Sequence, residues 1–153
     1  MTRTLDALRT CPLFRTEASG TLRRLGRQAE VFDVAAGRLV LVEGDPSNDL
    51  YLVIEGAVVV HAQHCQLAYL APGQIFGEIG VVTGRPRSAC VETVVSSRIM
   101  RISGGRFRSA LKTSSTLRER TRDLLMIRGA TSAESAARLG KEASQSGRQS
   151  RMR

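Results

Sequence analysis

The sequence predicts a mainly-β fold, an antiparallel β-barrel or jelly roll (a double-stranded β-helix) with helices at both ends. Two observations predict it. Between residues 29 and 102, short runs rich in Val, Ile and Leu recur at about ten-residue spacing, punctuated by glycine and with no intervening helices. On either side of this region, apolar residues fall at helical spacing instead. A length of 153 residues accommodates one domain with a real core.

Taken in order, residues 1–28 form an expected N-terminal helical segment. Leu5 and Leu8, then Leu22 and Leu25, lie one helical turn apart, and Pro12 interrupts between them. Expected strands in the barrel, residues 29–102, are 30–34, 38–42, 49–54, 57–62, 66–70, 87–95 and 98–102. Their separators have turn chemistry: Ala36-Gly37, Gly44-Asp-Pro-Ser-Asn48, Glu55-Gly56 and Ala71-Pro-Gly73. Residues 103–129 are expected to be two helices. Ser103 opens the first, which runs through Leu111, and the second spans about 115–129, with Leu117, Leu124, Leu125 and Ile127 apolar and Gly129 as its stop. Residues 130–153 are rich in Ala, Ser, Gly and Arg, with Leu139 the single large aliphatic before Met152, so a mobile basic tail is expected.

Composition narrows the classes. The longest apolar run, residues 50–60, is broken by Glu55 and Gly56, so no membrane segment is expected. The N-terminus lacks the apolar core of a secretion signal, and Asp6 and Glu17 count against an organelle transit peptide. Cys11, Cys65 and Cys90 are odd in number and scattered, which argues against a disulfide framework and a zinc site. A cytoplasmic location is the expectation. The net charge of +9 collects in residues 118–128 and in the tail, where Arg138, Lys141, Arg148, Arg151 and Arg153 face Glu134 and Glu142. Two Tyr, four Phe and no Trp are too few for a stacking platform, so a solvated basic surface is expected over nucleic-acid recognition.

Catalytic chemistry finds little material. His61 and His64, three apart in a strand and turn, point to opposite faces and lack the further His and Glu of a cupin metal site. No serine sits in a nucleophile elbow, and Cys90, in the barrel wall, reads as a small inert hydrophobe. The expectation is a non-enzyme without metal or cofactor.

The informative stretch is residues 73–91, Gly73-Gln-Ile-Phe-Gly77-Glu78-Ile-Gly80-Val-Val-Thr-Gly84-Arg-Pro-Arg87-Ser88-Ala89-Cys-Val91. Four glycines within twelve residues let backbone N–H groups turn inward together and approach an anion. Ile79 to Val82 can form a single helical turn with free N–H groups. Arg87 supplies a planar cationic fork that matches a phosphate, and Ser88 adds a hydroxyl donor. Ionised Glu78 only accepts hydrogen bonds, so it suits a neutral donor such as a sugar hydroxyl. A phosphate site and a hydroxyl site side by side describe a nucleotide pocket.

This stretch resembles the phosphate-binding cassette of the cyclic nucleotide-binding domain family, which includes catabolite activator proteins and protein kinase A regulatory subunits. In motif it is closest to bacterial channel-type cAMP-binding domains. The family pattern is met by Phe76-Gly77-Glu78 and Pro86-Arg87-Ser88-Ala89, with Gly80 where the family often has Ala. Leu8-Arg-Thr-Cys-Pro-Leu-Phe14, Val42-Glu-Gly-Asp45, Leu50-Tyr-Leu-Val-Ile-Glu-Gly56 and Leu70-Ala-Pro-Gly73 extend the resemblance, which covers roughly residues 5–128. It implies that Glu78 binds the ribose 2′-hydroxyl and Arg87 the exocyclic phosphate. The amides of Ile79, Gly80 and Ala89 and the Ser88 hydroxyl complete the phosphate shell, with Gly77 allowing close backbone approach. It further implies that the two C-terminal helices close over the cassette, with Leu124, Leu125 and Arg128 as candidate lid contacts against core packing and a solvated Arg128.

The resemblance favours cAMP as ligand, with cGMP left open. No helix-turn-helix module is recognisable, so the output passes through an unknown effector protein, a homodimer along the 115–129 helix, or the tail. Two other readings stay open. One is a fold member with an empty pocket that serves as a protein interaction module. The other is polyanion binding through the basic tail.

Overall fold

The computed structural model describes residues 2–129; the tail and its expected mobility lie outside them. The chain opens with α1 (Thr2–Thr10) and α2 (Ser19–Leu25), separated by turns around Pro12. Eight strands follow: β1 (Glu30–Val34), β2 (Leu39–Leu41), β3 (Leu50–Glu55), β4 (Val58–Ala62), β5 (Cys65–Leu70), β6 (Ile75–Phe76), β7 (Cys90–Thr93) and β8 (Ser97–Ile102). Helix α3 (Glu78–Thr83) interrupts them between β6 and β7. Helix α4 (Gly104–Thr113) comes next, and residues 115–129 are helical (α5).

The strands form two four-stranded antiparallel sheets, ordered β1-β8-β3-β6 and β2-β7-β4-β5. The expected jelly roll is what forms. Alternation along β3 divides the core in two. Tyr51 and Val53 point between the sheets and meet Leu41, Val58, Leu70, Phe76, Val91 and Ile99. Leu50 and Leu52 point the other way, onto a layer containing Leu8, Phe14, Leu22, Phe107 and Leu117 from the helices. With apolar matter on both faces, β3 is buried from Leu50 through Val53 instead of alternating with solvent. Phe14 meets Phe107 edge-on at 6.1 Å, joining the N-terminal segment to α4. Ser114 caps α5 by accepting from the Leu117 amide at 3.1 Å, and its hydroxyl donates to the buried Glu17 carboxylate.

Seven strands are expected and eight form among the described residues. The addition is β6, two residues paired with Leu52 and Tyr51. The strand expected over 87–95 shrinks to 90–93, for two reasons. Arg87 bonds to the loop before β3, its amide to Asp45 O at 2.9 Å and its carbonyl to the Gly44 amide at 2.8 Å. Val94 and Val95, apolar in sequence, sit 43 % and 46 % exposed at a corner. His61 lies beside Glu92 at 3.5 Å and His64 turns away at φ 64°; no group of three metal-ligating residues forms among the described residues.

Candidate functional site

Gly77 sets the site's geometry. It follows β6 at φ 87°, a left-handed conformation that turns the chain from strand into α3. A Cβ there would stand 2.9 Å from the Asp49 carbonyl and 3.0 Å from Arg87 Nη1, so the position excludes any larger residue. Just before it, Phe76 stacks on Tyr51 with centroids 5.1 Å apart. The helical ladder begins with the Val81 amide on the Gly77 carbonyl at 3.3 Å, and the amides of Glu78, Ile79 and Gly80 precede it. The single turn expected over 79–82 is therefore a six-residue helix that starts one residue earlier.

Arg87 is 4 % exposed and reaches beneath this turn. Nη1 donates to the Gly77 carbonyl at 2.8 Å, Nη2 to the Asp49 carbonyl at 2.7 Å and Nε to the Ser47 hydroxyl at 3.2 Å. All three acceptors are neutral. Among the described residues no carboxylate lies within ion-pair distance of this guanidinium. Burial pulls its pKa below the ordinary value, opposed by Tyr51, Asp45, Asp49 and Glu78. Three of five guanidinium protons are spent, leaving one on each terminal nitrogen. A buried cation with donors to spare has the chemistry to receive an anion.

Glu78, 2 % exposed, has a divided carboxylate. Oε1 pairs with Arg128 Nη1 at 2.6 Å, whereas Oε2 is buried without a hydrogen-bond partner. An acceptor oxygen left so costs about 1–3 kcal/mol until a donor arrives.

Both side chains line one cavity of about 450 Å³. Gly77, Ile79, Gly80, Ser88 and Ala89 line it too, so the structure brings every expected cassette residue to one place. Gly80 has its own constraint: a Cβ there would approach Arg87 Nη1 to 2.9 Å. The far wall is apolar, with Leu41, Val60, Leu67, Leu70 and Val91 prominent. Of the three candidate lid residues, Leu124 and Arg128 reach the cavity and Leu125 does not. Ile127 joins them instead. Positions 124, 127 and 128 share one helix face, and 125 lies about 100° around it.

Sequence reasoning missed Ser47 and Asp49 as the residues that aim Arg87. Ser47 lies in the 44–48 segment, expected as a turn, whereas Asp49 opens the strand expected over 49–54 and acts through its backbone carbonyl, which carries no side-chain signal.

Comparison with known proteins gives this arrangement its context. The family model described as the cyclic nucleotide-binding domain matches residues 31–114, more than half of the chain. The chain belongs to the cyclic nucleotide-binding domain family. The cyclic nucleotide-gated potassium channel mll3241 of Mesorhizobium japonicum is 28% identical over 108 residues, 71% of this chain and 30% of the channel. The chain thus spans less than a third of the length of that relative. Among solved structures, cAMP-bound PfPKA-R superposes with a TM-score of 0.80 at 13% identity, covering 88% of this chain and 47% of that one. The regulatory subunit of a cAMP-independent protein kinase A from Trypanosoma brucei gives 0.74 at 14%, covering 82% and 45%. At these identities the two structures speak to the fold alone. Residues of α3 and of the loop through Ala89 line the cavity, and α5 reaches it through Leu124, Ile127 and Arg128. No helix among the described residues is long and apolar enough to cross a membrane.

Proposed function

We propose that this chain is a cyclic nucleotide sensor, taking cAMP in preference to cGMP and passing occupancy to α5. One observation carries the reading: a buried guanidinium without a carboxylate and a buried carboxylate oxygen without a donor share one cavity. A 3′,5′-cyclic nucleotide supplies both missing partners at once. Its singly charged phosphate meets the two remaining Arg87 protons and the early α3 amides, and its ribose 2′-hydroxyl donates to Glu78 Oε2. The base then lies on the apolar wall under Leu124. Both purines carry an exocyclic amine, but guanine adds a ring N–H and a carbonyl that this wall of Val60, Leu67 and Leu70 leaves unpaired, which supports adenine. No catalytic step, metal or cofactor enters this reading.

Glu78 is the link to output. Oε1 holds Arg128 while Oε2 faces the ligand, so a filled pocket fixes the carboxylate that anchors α5. Ligand binding shifts the population of α5 positions, and an effector protein reads the change. A second reading is favoured by the same ion pair: Arg128 already neutralises Glu78, as befits a family member whose pocket stays empty and whose surface serves as an interaction module.

Calorimetric titration with cAMP and cGMP, on the wild type and Arg87→Ala, separates the readings. Micromolar or tighter binding of cAMP that the variant loses supports the sensor. No heat and no thermal shift with either nucleotide overturns it in favour of the module.

A further inference from the structure

A surface away from the cavity carries its own signal. Residues 18–29 hold Arg23, Arg24 and Arg27 and no Asp or Glu. Residues 103–118 hold Arg106, Arg108, Lys112 and Arg118, again with no carboxylate. These segments contain α2 and α4, which pack on each other and bury Leu22 and Leu25 from one, Phe107 and Ala110 from the other. Their outer sides therefore form one face. Six of the seven cations are exposed and Arg106 is half-buried. Around the first segment the preceding acid, Glu17, is buried against Ser114 and the following one, Glu30, is engaged by Arg101 at 2.7 Å; after the second segment comes Glu119, exposed on α5.

Among the described residues none of the seven makes an ion pair. Arg106 donates only to Gln28 Oε1 at 3.4 Å and Arg108 only to the Val81 carbonyl at 3.4 Å. Arg118 caps the end of α4 through the carbonyls of Leu111 and Lys112. The same molecule pairs the arginines of its β1-β8-β3 sheet with acids on or just before neighbouring strands, so it does not leave arginines unpaired everywhere.

The rest of the face is equally one-sided. Its other exposed side chains include Ser19, Gln28, Ser109, Thr113, Ser115 and Thr116, all hydrogen-bond donors, and no exposed large hydrophobic residue lies in either segment. Arginines interspersed with hydroxyls are the chemistry of phosphate-backbone contact. Missing aromatic side chains argue against stacking on single strands, and missing apolar anchors argue against a membrane surface. We propose that the α2–α4 face binds the phosphate backbone of duplex nucleic acid without reading its sequence, releasing counterions as it does so.

Fluorescence anisotropy of the full chain with a labelled DNA duplex of about 20 base pairs, between about 50 and 200 mM salt, tests this. The variant Arg23→Gln/Arg27→Gln/Arg108→Gln should weaken binding at least about tenfold at about 100 mM salt and reduce the log–log salt slope by about 3. A tail variant, Arg148→Gln/Arg151→Gln/Arg153→Gln, should bind as the wild type does. Matching melting curves and unchanged cAMP titrations confirm that the exposed substitutions leave fold and cavity intact. Three results overturn the proposal: the face variant binds as the wild type, the tail variant accounts for the loss, or the duplex does not bind. In the last case, retention on phosphatidylserine vesicles or polyglutamate would reassign the face to a lipid or an acidic protein.

Discussion

The β1-β8-β3 sheet and the cavity behind α3 both carry arginines and treat them oppositely. On the sheet, Arg98 meets Asp33 at 3.0 Å and Arg101 meets Glu30 at 2.7 Å, all four partly exposed. Water screens such pairs, and holding two long side chains in place costs entropy, so they contribute little. In the cavity, Arg87 is buried on neutral acceptors and Glu78 keeps an oxygen without a donor. Desolvated charges lacking their full complement are expensive in isolation. The difference separates a surface whose charges are matched from a cavity whose charges are not.

Substitutions sharpen that contrast, and the largest effect belongs to Arg87. Arg87→Ala leaves the bound phosphate buried without its cation and should cost about 2–5 kcal/mol of cAMP binding, roughly 30-fold to several thousand-fold. Calorimetry measures it, and an unchanged affinity would mean that the phosphate lies elsewhere. Gly77→Ala comes next. Forcing a Cβ into the left-handed conformation costs about 1–2 kcal/mol before the contact with the Asp49 carbonyl is counted, so both thermal midpoint and nucleotide affinity should fall. Arg128→Ala removes the partner of Glu78 Oε1. It should uncouple α5 from the pocket, so that cAMP no longer changes hydrogen exchange over residues 115–129; a preserved response would mean that Leu124 and Ile127 suffice. Arg98→Ala, the control, should leave cAMP affinity unchanged and the melting temperature nearly so.

Much of this architecture is legible in the sequence because its turns use residues with a single purpose. Gly37, Gly44, Gly56 and Gly73 all take positive φ at strand ends, so the punctuation gives the barrel away. Strand β6 escapes because two residues carry no period, and 94–95 mislead because apolar side chains sit at an exposed corner. Within the site, Arg87 and Glu78 are readable from their type and spacing. The frame that holds Arg87 is not, since it is made of carbonyls and a hydroxyl contributed by residues 10 to 40 positions away. An apolar cluster such as Leu124-Leu125-Met126-Ile127 does not fix helix phase, and in the structure Ile127 lines the cavity where Leu125 is the sequence candidate. Arg128 reads in sequence as either solvated or lid-bound, and only the fold brings it to Glu78.

In the proposed sensor, Glu78 Oε2 accepts from a sugar hydroxyl beside the phosphate held by Arg87. Titrating wild type and Glu78→Ala, which removes the acceptor altogether, with cAMP and with 2′-deoxy-cAMP isolates that single bond. Losing the hydroxyl should weaken binding to the wild type by about tenfold, near 1.4 kcal/mol. The two ligands should bind the variant almost equally. An equal loss in both proteins, or none in the wild type, would contradict this bond and place the ribose away from Glu78.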